Sequence, residues 1–108
     1  MEYNLGEFEL LVLLALVRLG EDAYGVSVQR EIASCSGRDA SFAAVYTTLS
    51  RLEGKGLVDS FQGAPTPERG GRSKKHFTLT RSGRATLQRN LRAIRSMTQG
   101  LDPQWSTP

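Results

Sequence analysis

The chain has 108 residues, a single cysteine and a formal net charge of +3, enough for one small domain with one core and no second. No stretch approaches the roughly 18 consecutive apolar residues of a membrane helix, and the opening Met-Glu-Tyr-Asn-Leu-Gly-Glu lacks the basic n-region of a secretory signal. Cys35 is alone and cannot form an internal disulfide, so a reducing compartment, the cytoplasm, is the expected location.

In chain order, Asn4 with Glu7 three residues on reads as a capping box, and Tyr3 and Phe8 stand at the positions of a hydrophobic staple. A first helix is expected from Leu5 to Leu19, with Gly20 as its C′ residue. Between Phe8 and Leu19 only Glu9 and Arg18 are polar. A helix so apolar must be covered on more than one face, which points to a partner subunit. Glu21-Asp22 places negative charge at the start of a second helix over Ala23–Ser34, where Tyr24, Val28 and Ile32 are spaced four apart. A short turn through Ser36-Gly37-Arg38-Asp39 then leads into a third helix capped by Ser41 or Asp39. Helix, short turn, helix is the skeleton of a helix-turn-helix.

In the third helix Phe42, Val45, Leu49 and Leu52 form the expected core stripe, and the opposite face presents Ala43, Ala44, Thr47, Ser50 and Arg51. Gly54 and Gly56 end it. Strands are expected over Leu57–Gln62 and Lys75–Leu79, with Phe77 and Leu79 inward and His76 and Thr78 outward. The Gly/Pro-rich run between them is a loop, made positive by Arg69, Arg72, Lys74 and Lys75. Thr80 caps a fourth helix reaching about Gly100, where Leu87, Leu91, Ile94, Thr98 and Leu101 follow heptad spacing, the pattern of a helix packed along another. The tail from Asp102, with two prolines, is expected to fray.

Charge is unevenly divided: residues 1–50 hold three cations against seven acids, residues 51–108 eleven against four. An anionic partner for one face fits this polarity. A solvated helix face is normally rich in Lys and Glu, so the short side chains of the third helix look shaped for close approach, as in a major groove. Ala43, Ala44 and the Thr47 methyl suit thymine methyls, and the Thr47 hydroxyl suits a base edge or a phosphate. Ser41 joins them at the helix start. Arg51, late in the helix, suits a phosphate, or else an ion pair with Glu53. Tyr46 sits at the edge of the stripe, where packing and a hydroxyl–phosphate contact are equally open. Arg69, Arg72, Lys74 and Lys75 suit backbone or minor-groove contacts. His76 has no second histidine beside it, and no metal, cofactor or catalytic constellation is expected.

Taken together, Leu5–Ala15, Ala23–Val26, Ala44–Leu57, Pro67–Arg72 and Phe77–Gly83 resemble the PadR family of bacterial transcriptional regulators, over residues 4 to 100. The chain differs from the family pattern at Val26, where Tyr is frequent, and at His76-Phe77, where paired aromatics are. The resemblance implies a dimeric winged-helix repressor with a C-terminal dimerisation helix, and places Tyr46 and the first turns of the third helix at the DNA. The expected architecture is therefore mainly α with a small β-hairpin. Its parts are a winged helix-turn-helix over residues 1–80, a dimerisation helix over 81–101 and a flexible tail over 102–108. The expected function is a sequence-specific homodimeric regulator of a pseudo-palindromic operator, paired through helices 1 and 4, with any small-molecule effector unidentified. A winged-helix protein-interaction module without DNA binding remains the alternative.

Overall fold

The described residues, 3–63 and 74–106 of a computed structural model, form in order α1 (Glu7–Leu19), a 3-10 turn (Gly20–Asp22), α2 (Gly25–Ser36), α3 (Phe42–Gly54), β1 (Val58–Gln62), β2 (Lys75–Leu79), α4 (Arg81–Thr98) and α5 (Pro103–Ser106). This is the expected mainly helical chain with a two-stranded antiparallel hairpin.

Local chemistry accounts for most element ends. Ser41 Oγ accepts from the Ala44 N–H at 3.0 Å and starts α3. Thr80 Oγ1 accepts from the Gly83 N–H at 2.9 Å and starts α4. Gly56, at φ 76°, takes the left-handed position after α3, which lets the Leu57 N–H reach back to the Leu52 carbonyl at 3.0 Å. At the first helix the expectation needs correction. The cap is Gly6, whose N–H is taken by Glu9 Oε1 at 3.0 Å, so α1 begins at Glu7 and exposed Asn4 caps nothing. The competing pair is better because Glu9 is also held from outside by Lys55 Nζ at 2.8 Å.

The core joins α1, α2, α3, the hairpin and the first turns of α4. Val12, Leu13, Val28, Val45, Leu49, Leu52, Leu57, Val58 and Phe77 are essentially inaccessible, each contributing on the order of 2 kcal/mol by leaving water. Thr48, not Phe42, completes the buried stripe of α3, and Phe42 stays 45% exposed. Its place at the first helical position sends its ring sideways over Gly25, where an added Cβ would lie 2.6 Å from a ring carbon. The apolar girth of α1 is mostly met within the chain: Val12, Leu13, Ala15 and Leu16 are buried and Leu10, Leu11, Leu14 and Leu19 half-buried. Only Val17 stands half exposed. The case for a partner therefore passes from α1 to α4.

Two long-range joints orient the hairpin and α4. The hairpin pairs Val58 with Leu79 through Gln62 with Lys75. It is clipped to the start of α2 by the Phe77 N–H, which donates to the Ala23 carbonyl at 2.9 Å, and by a bridge between Tyr24 and His76. That clip replaces the expected first turn of α2, which begins two residues late, at Gly25. At the far joint the Asn90 amide lies along the N-terminal segment as a strand residue would. Its Oδ1 accepts from the Leu5 N–H at 3.2 Å, and its Nδ2 donates to the Tyr3 carbonyl at 3.3 Å and to the Thr86 carbonyl at 2.8 Å. Arg89 adds a second donor to the Tyr3 carbonyl at 2.6 Å. The C-terminal tail, expected to fray, makes one helical turn, with the Gln104 N–H on Asp102 Oδ1 at 3.1 Å. Among the described residues no helix is long and apolar enough to cross a membrane.

Candidate nucleic-acid interface

The buried stripe of α3 dictates what faces outward. With Val45, Thr48, Leu49 and Leu52 inside, Ala43, Ala44, Thr47, Ser50 and Arg51 are all exposed. The result is a helical surface with no side chain longer than threonine until its last turn. Ser41 sits at its leading end, its oxygen engaged by the Ala44 N–H and the residue itself exposed. No ion pair joins Arg51 to Glu53 among the described residues. Glu53 instead accepts from the Ser60 hydroxyl at 2.5 Å and faces Lys75 Nζ at 3.8 Å.

Tyr46 stands between the two roles left open for it. Its ring is 6.0 Å from Phe42 and 6.1 Å, edge-on, from Phe77, so it packs; yet 37% of the residue remains exposed. The Lys75 ammonium faces its hydroxyl oxygen at 3.5 Å, too long for a strong bond. That ammonium is thus shared loosely among Tyr46, Glu53 and the faces of the Tyr46 and Phe77 rings. A donor aimed at the oxygen leaves the hydroxyl proton free for an acceptor outside, and phosphate oxygens are acceptors only.

Lys74 Nζ lies 4.2 Å over the Tyr24 ring, a cation–π contact that holds this exposed side chain across the mouth of a cleft. The cleft has a volume of about 570 Å³ and is bounded by Tyr24 and Arg30 of the α2 region, Phe42 and Tyr46 of α3, and Lys74 and Lys75 at β2. Among the described residues no acidic side chain lines it. Arg30 escaped the sequence-based reading because nothing in the pattern of α2 brings it towards α3; only the packing of the two helices does. Arg69 and Arg72, the other two expected contacts, lie outside the described residues.

His76 has a packing role: its ring stacks on Phe61 at 5.4 Å, meets Tyr24 edge-on at 5.5 Å, and carries Nδ1 at 2.9 Å from the Lys74 carbonyl. Among the described residues no group of three His, Cys, Asp or Glu side chains could hold a metal ion. Behind α3, Glu9 anchors the helix to α1. Burial pushes its carboxyl up, but the Lys55 hydrogen bond, the Gly6 N–H and the charges of Lys55 and Arg51 outweigh it and hold the group below the usual carboxylate range.

The fourth helix, expected to reach about Gly100, ends at Thr98, where Gln99 turns extended and Gly100 takes φ 77°. Four of the five expected seam positions therefore lie on α4, and Leu101 falls beyond it. Leu87 is 4% exposed and belongs to the core of its own chain, and Leu91 is half-buried against that core. Ile94 and Leu101 are each about half exposed, and Thr98 is exposed. Met97, one turn on from Ile94, is 79% exposed, and Trp105 of α5 is 74% exposed. The exposed face begins where α4 leaves the body, which gives the chain a long axis of 52 Å against 21 Å at its thinnest.

Solved structures share this fold. A PadR family transcription regulator from Clostridium difficile R20291 is 22% identical, with a TM-score of 0.68 over 86% of this chain and 95% of that one. A padr family transcriptional regulator from Eggerthella lenta DSM 2243 is 26% identical, with a TM-score of 0.65 over 91% and 83%. BpsR of Bordetella bronchiseptica, whose DNA binding is regulated by 6-hydroxynicotinic acid, is 25% identical, with a TM-score of 0.63 over 93% and 70%. No curated protein sequence matches the chain. The model of the transcriptional regulator PadR-like family matches residues 13–89, from the middle of α1 through the hairpin into α4. With that match over most of the fold, the chain belongs to the PadR-like family of transcriptional regulators, which are DNA-binding proteins and not enzymes.

Proposed function

We propose that the chain is a homodimeric repressor that reads a pseudo-palindromic operator. The observation that carries this is the exposed, uncharged, short-side-chain face of α3 beside a cleft lined, among the described residues, by cations and no acids. In this reading α3 enters the major groove. Ala43, Ala44 and Thr47 meet base edges, Ser41 and Tyr46 meet the backbone at its leading end, and Arg51 meets a phosphate at its trailing end. Lys74 and Lys75, with Arg69 and Arg72 of the wing loop, hold the flanking backbone or minor groove.

The exposed end of α4 and the residue Leu101 beyond it support pairing: Ile94, Thr98 and Leu101 turn towards the partner's α4 and α1, while Leu87 and Leu91 seat α4 on its own subunit. The winged helix-turn-helix thus ends near residue 80, the pairing segment runs to about 101, and a short tail follows. A two-fold axis then sets two copies of α3 about one turn of DNA apart, roughly 34 Å. Bound across a promoter in the cytoplasm, the dimer blocks polymerase. An effector, if small, acts by changing the separation of the two wings through α1 and α4, as the regulation of BpsR by 6-hydroxynicotinic acid encourages one to consider.

Selection of bound duplexes from a random pool, followed by gel shifts of the selected duplex at 50 and 200 mM salt, tests the proposal. A pseudo-palindromic motif with binding that weakens steeply in salt is expected. Absence of any salt-sensitive shift would favour the protein-interaction module instead.

A further inference from the structure

Arg30 is an exposed cation on α2 that has no hydrogen-bond or ion-pair partner among the described residues. Four cations on the body are engaged, Arg18 with Glu31 at 2.6 Å, Arg38 with Glu7, Lys55 with Glu9 at 2.8 Å and Arg89 with the Tyr3 carbonyl at 2.6 Å, whereas Arg30, like Arg51, has no such partner among the described residues. Arg30 instead borders the cleft between α2, α3 and β2, opposite Lys74 and Lys75. Lys75 is shared with Glu53 at 3.8 Å, but Arg30 and Lys74 have no carboxylate partner among the described residues, so this concave, aromatic-walled site keeps a local excess of positive charge that wants an anion.

Two features decide which anion. The cleft opens beside the first turn of α3, the end that carries Ser41, Ala43 and Ala44. In a helix-turn-helix the helix preceding the reading helix crosses the DNA backbone, and here that helix is α2. Building on the DNA-binding reading above, we infer that Arg30 clamps a phosphodiester of the strand bordering the major groove, so that α2 is a third contact element beside α3 and the wing. A guanidinium presents a planar fork suited to two phosphate oxygens at once. Lys74, held over the Tyr24 ring, meets the neighbouring phosphate of the same strand, and the Tyr46 hydroxyl supplies a donor from the wall. Val26, one turn before Arg30 and 37% exposed, gives the backbone a short, uncharged surface to run along.

The test is a salt titration by fluorescence anisotropy on two labelled duplexes, one selected by the wild-type chain and one scrambled. The wild type is compared with Arg30→Ala, Arg30→Lys and, as a control on the far helix, Arg92→Ala. Each neutralised phosphate contributes about 0.9 to the slope of log affinity against log salt. Two copies of Arg30 in a dimer therefore carry about 1.8. Between 50 and 200 mM salt the wild type should lose about twelvefold more affinity than Arg30→Ala. Arg30→Ala should weaken the selected and scrambled duplexes by the same factor, Arg30→Lys should restore most of the slope, and Arg92→Ala should leave it unchanged. A thermal melt of Arg30→Ala matching the wild type excludes misfolding as the cause. Wild-type binding with an unchanged slope in Arg30→Ala sinks this assignment alone, as does a loss confined to one base pair. A wild-type chain that binds neither duplex sinks the DNA-binding reading, and this assignment with it.

Discussion

Replacing Gly83 by alanine should be strongly destabilising, although the same change usually strengthens a helix. Gly83 lies in the first turn of α4, where that helix docks against the junction of α3 and β1. An added Cβ would stand 1.9 Å from the Leu57 carbonyl oxygen and 2.9 Å from its carbon. Even a close C–H···O contact needs about 3.3 Å, so α4 must retreat by more than an ångström. The retreat breaks the 3.0 Å hydrogen bond from the Thr80 N–H to the same Leu57 carbonyl and the 2.7 Å bond from the Thr80 hydroxyl to the Gly56 carbonyl. It also pulls on Leu87, which is only 4% exposed. Overpacking costs about 1–3 kcal/mol and the lost hydrogen bonds about 1–2 kcal/mol, against a gain of about 1 kcal/mol in helix propensity. The net loss of about 2–3 kcal/mol corresponds to a Tm lowered by about 10 °C for a chain of this size. Circular dichroism melts at one fixed protein concentration read it directly, because the proposed pairing would make Tm concentration-dependent. Gly54→Ala is the matched control. It ends α3 with nothing within 4 Å of the added carbon and should raise stability by about 0.5–1 kcal/mol. A Gly83→Ala protein that melts at or above the wild type would refute the close-docking argument.

Three further outcomes are expected. Glu9 ionises more easily in the folded chain than in the unfolded one, so its contribution is complete above the ordinary carboxylate pKa near 4.5 and fades as pH falls through its lower folded value. Urea midpoints should therefore separate the wild type from Glu9→Gln at pH 7 and converge towards pH 3, and a gap that widens on acidification would contradict the sign. Ile94→Asp, at a position half exposed in a single chain, should leave the fold intact but give monomers in sedimentation at micromolar concentration; a surviving dimer would place the interface elsewhere. Thr47→Ala should change base preference at one or two positions of a selected site, whereas Lys74→Ala with Lys75→Ala should weaken all duplexes alike and flatten the salt slope; interchange of these two phenotypes would invert the assigned roles.

What could be read in advance is what short-range chemistry decides. Ser41 and Thr80 cap α3 and α4 because a hydroxyl three residues before a free N–H needs no help from the rest of the chain. Gly56 ends α3 for the equally local reason that its φ is positive. The outer face of α3 follows from its inner one, so Ala43, Ala44, Thr47 and Arg51 emerge exposed together. Long-range competition hid the rest. Asn4 lost the first cap to Gly6 because Glu9 is fixed by Lys55, 46 residues away. Phe42 has core-like chemistry and core-like spacing, but a ring at the first helical position turns aside onto Gly25. Leu87 fits a heptad seam and a core equally well by spacing, and only the docking of α4 separates it from Ile94. Arg30 joins Lys74 and Lys75 through the crossing of two helices, which no spacing along α2 encodes.

The Asn90 amide gives the molecule a built-in reporter. Leu5 precedes α1 and has no helical partner for its N–H, which is held instead by a side chain 85 residues further on. Its deuterium uptake therefore measures how often α4 lifts from the body. A single resonance in a spectrum of the intact protein would thus follow α4 as DNA or a small molecule is titrated in, with no label attached to either surface.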